Sequence, residues 1–310
     1  MATLKTLNTR IGVVAALSLL ATLLAGCVPT PETPSWTPRR QMSLARDEFG
    51  AAAVDGRIYT FGGMTGELGN DLGIVEVYDP GTNAWTRLSP LSAPRSALRA
   101  ASVGTRIYLT GGSIRNRPTD LVEAFDTVSQ RWSSVPPLPE ARFGHAAVTL
   151  GDQVVVLGGM TDGGPTAVVE AYDPQSGRWV SRAPMRTPRY NLSAVVLDDR
   201  IYAIGGRHDG EPLTSVEVYD PRLDRWEDGP SLPEGLSNFA ATAADDRIHV
   251  VLHQTHFSLR PRAGVWRAAP PLRVSRHGLA LVTLERTLYA IGGCTEALKD
   301  SRVNEALTLG

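Results

Sequence analysis

The chain of 310 residues holds only two cysteines, Cys27 and Cys294. That excludes a disulfide scaffold, so the fold must be held by its core, and a chain of this length can bury a large one. Charge of either sign is not in excess, the net value being −1. No nucleic-acid or polybasic membrane footprint is therefore present in the composition. Long apolar runs are missing too: the stretch from Ile11 to Leu24 is too short to span a bilayer comfortably. Beyond residue 26 there is no long helical pattern. What is plentiful is turn material, with 30 Gly and 22 Pro. This suits one all-β domain of many short strands.

From Trp36 onward a single pattern is written six times. All six Trp fall on it, and ten residues after Trp36, Trp85, Trp132, Trp179 and Trp266 stand Arg46, Arg95, Arg142, Arg189 and Arg276. Sixteen residues further come Gly pairs starting at Gly62, Gly111, Gly158, Gly205 and Gly292. After Trp226 the same positions hold Leu236 and Leu252-His253. A repeat of this period cannot bury its faces alone, so neighbouring units must stack.

Each copy reads as four strands. Strand a follows the Arg, strand b is an apolar run closing on Gly-Gly, strand c is the Val-Glu-Val-Tyr type, and strand d starts at the Trp. The last copy has no Trp strand, and an unclaimed one stands at Trp36. The N-terminal strand is therefore expected to complete the last sheet and close a ring of six blades.

The Gly pairs, and the seven-residue spacing of Tyr78 to Trp85, Phe125 to Trp132, Tyr172 to Trp179 and Tyr219 to Trp226, resemble Kelch repeats. The resemblance covers residues 36–310 and implies a six-bladed β-propeller. It does not by itself choose a function, because Kelch propellers include adaptors, sugar-handling enzymes and a copper oxidase.

Residues 1–27 read as an export signal. Lys5 and Arg10 precede the apolar stretch, and Leu24-Ala25-Gly26-Cys27 resembles a bacterial lipobox. That resemblance implies lipidation of Cys27, an extracytoplasmic location on a bacterial membrane, and residues 28–35 as a Pro-rich tether. An ordinary secretory peptide or an uncleaved anchor are the alternatives. With Cys27 acylated, Cys294 is a lone loop thiol.

The repeated residues read as structure. The Gly end inner strands where backbones approach closely, and the aromatics pack between blades. Two residues before each Tyr position stand Glu76, Glu123, Glu170, Glu217 and Glu305. Copy five has Phe257 there and Leu236 at the Arg position, so both charges are absent together. Buried Arg–Glu pairing explains this better than an anion-binding ring, since one partner alone would be stranded.

A ligand is expected on the face carrying the d–a connections and b–c loops. The b–c loop of copy five is shorter, which predicts a notch in the rim. Polar residues that do not repeat concentrate near it, and the binding candidates are Tyr190, Asn191, Arg207, Ser237, Asn238, His256 and His277. Such side chains suit the hydroxyl and carboxylate groups of a peptide or a carbohydrate. The expectation is a monomeric binding module with no cofactor and no metal, because His253 and His256 have no nearby carboxylate in sequence. The alternative is an enzyme resembling N-acetylneuraminate epimerase, a sugar mutarotase, with His277, Glu48 and Arg207 as catalytic candidates.

Overall fold

The computed structural model describes residues 34–66, 69–295 and 299–310. The lipobox at Cys27 and most of the tether lie outside these residues. The described chain forms six four-stranded antiparallel sheets arranged as the blades of a propeller. Blade 1 is built from Gly50–Val54, Arg57–Phe61, Val75–Asp79 and Ala84–Arg87, as strands a to d. Blades 2 to 5 repeat this order, with strand a at Arg99–Val103, Ala146–Leu150, Ser193–Leu197 and Ala240–Ala244. Blade 6 takes a, b and c from Ala280–Leu284, Thr287–Ile291 and Asn304–Thr308, and its d strand is Thr37–Pro38.

The seven-residue Tyr–Trp spacing places the two rings directly opposite across the c–d hairpin. Tyr78 pairs with Trp85, and their ring centroids are 5.0 Å apart. Every Trp then donates its indole N–H to a carbonyl just beyond the d strand of the preceding blade. Trp179 donates to Pro136 at 2.9 Å and Trp226 to Ala183 at 2.8 Å. Trp36 donates to Pro270 at 2.8 Å, the same role across the closure. It is buried, and it packs with Leu272, Leu288 and Leu307.

The Gly pair closes five of the six blades on the next, and in blade 5 the His253 N–H takes its place, donating to Arg276 at 2.7 Å. In blade 1, Gly63 donates its N–H to the carbonyl of Arg95 at 3.0 Å, and Gly293 of blade 6 donates to Arg46 at 2.9 Å. Gly62 sits at φ +64°, and a Cβ there would stand 2.5 Å from the Arg95 carbonyl, so no side chain fits.

All five Arg of the column are fully buried. Each pairs with the Glu of its own blade: Arg46 with Glu76 at 3.0 Å, Arg95 with Glu123 at 2.5 Å, Arg142 with Glu170 at 2.9 Å, Arg189 with Glu217 at 2.5 Å and Arg276 with Glu305 at 3.7 Å. The guanidinium also donates to the carbonyl of the first Gly, as Arg142 does to Gly158 at 3.1 Å. Strand b's end, the start of c and the d–a connection are thus tied to one side chain. In blade 5, Leu236 is buried in an apolar cluster against which Phe257 packs, an uncharged solution to the same space.

Candidate functional site

The d–a connections and b–c loops lie on one face, as expected. Small two-stranded hairpins rise there on blades 1 to 4, namely Met64–Thr65 with Asn70–Asp71, Ser113–Ile114 with Arg117–Pro118, Met160–Thr161 with Gly164–Pro165, and Arg207–His208 with Glu211–Pro212. Blade 5 has none. Leu252 pairs with Thr255, which leaves a two-residue turn at His253 and Gln254. The rim is therefore high on four blades and cut away on the fifth.

The floor of this bowl is a closed ring of backbone hydrogen bonds. Ala97 donates to Glu48 at 2.7 Å, Gly144 to Ala97 at 3.2 Å, Asn191 to Gly144 at 2.6 Å, Asn238 to Asn191 at 2.9 Å, Gly278 to Asn238 at 3.0 Å, and Glu48 to Gly278 at 2.9 Å. All six residues are left-handed, with φ from 49° to 60°: Glu48 49°, Ala97 50°, Gly144 58°, Asn191 51°, Asn238 56° and Gly278 60°. Such a backbone turns each N–H and C=O along the circumference, so every blade is hydrogen-bonded to both neighbours around the channel. Asn and Gly tolerate this conformation well, whereas Glu48 and Ala97 adopt it at a cost.

Inside the ring the channel holds a chamber of about 130 Å³, lined by Glu48, Arg99, Ser193, Asn238 and small strand-a residues. Asn238 donates to the Glu48 carboxylate at 3.4 Å, across Gly278. Burial lifts the Glu48 carboxyl above its ordinary value, and the Arg99 charge works against that shift. Burial likewise lowers the Arg99 guanidinium, with Glu48 opposing. Arg99 escapes a reading that follows only the repeated columns. It occupies the fourth position after the Arg column, where the other copies have Gly50, Ala146, Ser193, Ala240 and Ala280. That exception among small residues was the available signal.

The candidate residues are divided by the structure. Tyr190 and Arg207 are joined by a backbone bridge in blade 4, and both are half-buried. Asn191 and Asn238 are ring residues, and Ser237 stands beside Asn238 where the chain passes into blade 5. His277 is bridged to Cys294 in blade 6, with its ring edge-on to His253 at 5.6 Å. Burial and the neighbouring His253 lower its pKa. These six belong to blades 4 to 6, and of them Asn238 lines the chamber.

His256 does not join them. It is buried between blades, with Nδ1 2.9 Å from the Pro270 carbonyl, Nε2 3.0 Å from His249, and its ring against Trp36 at 5.7 Å. It opposes Val251 on strand b, at the strand-c position that holds the buried Val75, Val122, Val169, Val216 and Asn304 in the other blades. Of the catalytic candidates, Glu48 and His277 are brought near each other at the junction of blades 1 and 6, where the Glu48 N–H donates to Gly278 at 2.9 Å, whereas Arg207 stands in blade 4, bridged to Tyr190.

Asp47 and Asp300 come together where blade 6 meets blade 1. Asp47 is only 6% exposed, and burial together with Glu48 and Asp300 raises its pKa to about 7. Asp300 faces it, and its Oδ2 accepts the Gly66 N–H at 2.6 Å. The Cys294 thiol is close to both and is pushed up to about 11 by burial and then by the charges of Asp47 and Asp300.

The family model described as the KLHDC2/KLHL20/DRC7 Kelch-repeats domain matches residues 28–159 and 97–293. A solved structure titled "Structure of YjhT" is similar at a TM-score of 0.77, over 88% of this chain and 97% of that one, with 14% sequence identity. At that identity the likeness is one of fold. No curated protein matches the chain in sequence.

Proposed function

The chain belongs to the KLHDC2/KLHL20/DRC7 Kelch-repeats family, and we propose from that premise that it is a ligand-binding propeller. Its ligand sits in the b–c bowl and is a peptide or carbohydrate carrying hydroxyl and carboxylate groups. The observation that supports this is the uneven rim: hairpins on four blades, and a two-residue turn on the fifth. A concave site with one low wall encloses a small ligand better than a flat disk. Around it Phe143 and Tyr190 offer apolar ring faces, Arg207 a cation, and Asn191 and Asn238 amides.

The mutarotase reading needs a carboxylate, a His and an unpaired cation around one sugar carbon. The Glu48 carboxylate turns to Asn238, and Arg207 stands on the blade opposite blade 1, so we favour binding. The test is binding to immobilised acidic-sugar and peptide arrays. Tyr190→Ala and Arg207→Ala are each expected to weaken binding of the ligand found there about tenfold or more, as Tyr and Arg contact residues commonly do. Unchanged affinity in both variants overturns the site. Turnover of a free sialic acid by the unmodified protein overturns the binding reading itself.

We further propose that Cys27 holds the propeller to a bacterial membrane from the outside. Among the described residues no helix is long and apolar enough to cross a membrane. Cys27→Ser is expected to move the protein out of the membrane fraction with its melting temperature unchanged. Unchanged partition means that the apolar stretch, uncleaved, is the anchor.

A further inference from the structure

We propose that the corner between blades 6 and 1 is a transition-metal site, with Asp47, Cys294 and Asp300 as ligands to a zinc-like divalent cation. One ligand atom from each, a carboxylate oxygen or the thiol sulfur, lies within 4.8 Å of the other two. Tetrahedral coordination at zinc bond lengths sets such atoms roughly 3.3–3.8 Å apart, so an ion is reached by contraction of at most about 1.5 Å.

The backbone already holds the three in place. Asp47 and Met64 exchange hydrogen bonds at 3.2 and 3.0 Å, and His277 and Cys294 exchange them at 3.0 and 2.8 Å. Cys294 is bridged in turn to Asp300, whose other constraint is the Gly66 N–H on its carboxylate. Ligands fixed by their surroundings before the ion arrives are the condition for a metal site.

The observation that points to a cation is independent of this clustering. Asp47 is more than nine-tenths buried, yet its Oδ1 has no hydrogen-bond partner. Buried carboxylate oxygens are otherwise satisfied by donors or by metals. Oδ1 has no donor, and the carboxylate is clustered with a second carboxylate and a thiol. The Nδ1 of His277, on the residue paired with Cys294, is likewise buried without a partner.

The donor set also states which metal. Two carboxylates and a thiolate carry three negative charges, which suits a divalent ion. The sulfur selects zinc or cobalt over magnesium and calcium, which take oxygen ligands. Three protein ligands would leave a fourth position for water or a ligand, as in catalytic zinc sites. Linear sequence hides this set, because residue 47 meets residues 294 and 300 only when the ring closes.

The experiment uses the full-length chain carrying Cys27→Ser, so that Cys294 is the single thiol. The reduced, metal-free protein is titrated with Co²⁺ and then with Zn²⁺. The expected result is a near-ultraviolet thiolate-to-cobalt charge-transfer band that saturates at one equivalent and is removed by Zn²⁺. Adding Cys294→Ser should abolish the band with the melting temperature of the apo-protein retained. Asp300→Asn, on a surface loop, should weaken Co²⁺ binding by about tenfold or more. Absence of a band at one equivalent overturns the proposal. So does a band that survives Cys294→Ser, or a Co²⁺ affinity indifferent to both Asp300→Asn and Asp47→Asn.

Discussion

At the scale of single residues, the Arg and Glu columns are the strongest commitment the chain makes. Arg142 is fully buried, its Nη2 lies 2.9 Å from Glu170, and its Nη1 donates to the carbonyls of Gly158 and Val168. Burial lowers its pKa, and the charge of Glu170 opposes that shift first among its neighbours. Removing one member of such a pair leaves a buried charge without its counter-ion, at a cost of about 3–5 kcal/mol. Arg142→Leu alone is therefore expected to destabilise the protein by that much in urea unfolding. Arg142→Leu with Glu170→Phe should recover part of the loss, because blade 5 already uses Leu236 and Phe257 in these positions. Recovery stays partial, since the carbonyls that Arg142 satisfied remain. Strictly additive losses in the double-mutant cycle would mean that the pair is not coupled.

At the scale of the blade, sequence and structure agree where periodicity carries the information and part where it does not. The four-strand order, the Trp register and the joint absence of Arg and Glu in blade 5 follow from spacings, because each spacing is a rigid geometric demand repeated six times. The notch was also legible, as a missing stretch of loop. So was the burial of His256, which stands one place before Phe257, where the other blades hold the buried Val75, Val122, Val169, Val216 and Asn304: the repeat register puts it in the core whatever the loop length. The backbone ring was hidden. Its left-handed column reads Glu48, Ala97, Gly144, Asn191, Asn238 and Gly278, and the two residues least suited to that conformation conceal the pattern set by the other four. Arg99 sat in plain view, but only a comparison of non-repeating positions, column by column, would have singled it out.

At the scale of the whole molecule, closure depends on one short segment that is first in sequence and last in the ring. Thr37 and Pro38 pair with Ala306 and Glu305, and Trp36 fills the core between blades 5 and 6. The same junction joins Gly293 to Arg46 and Glu48 to Gly278, so the Gly latch and the ring of the channel floor both pass through it. Without the segment, strand c of blade 6 becomes an open edge and the socket of Trp36 a cavity. Loss of a buried Trp alone costs about 3–5 kcal/mol. In a domain of this size each kcal/mol moves the melting temperature by roughly 2–4 °C. Deletion of residues 28–44 is accordingly expected to lower the melting temperature by on the order of 10 °C or more. It should also open the corner where Asp47 meets Cys294 and Asp300, so that cobalt binding falls with the fold. The measurement is a thermal melt of the truncated and parent proteins side by side. A truncated protein melting within about a degree or two of the parent would show that blade 6 is stable without its borrowed strand, and that the ring is held elsewhere.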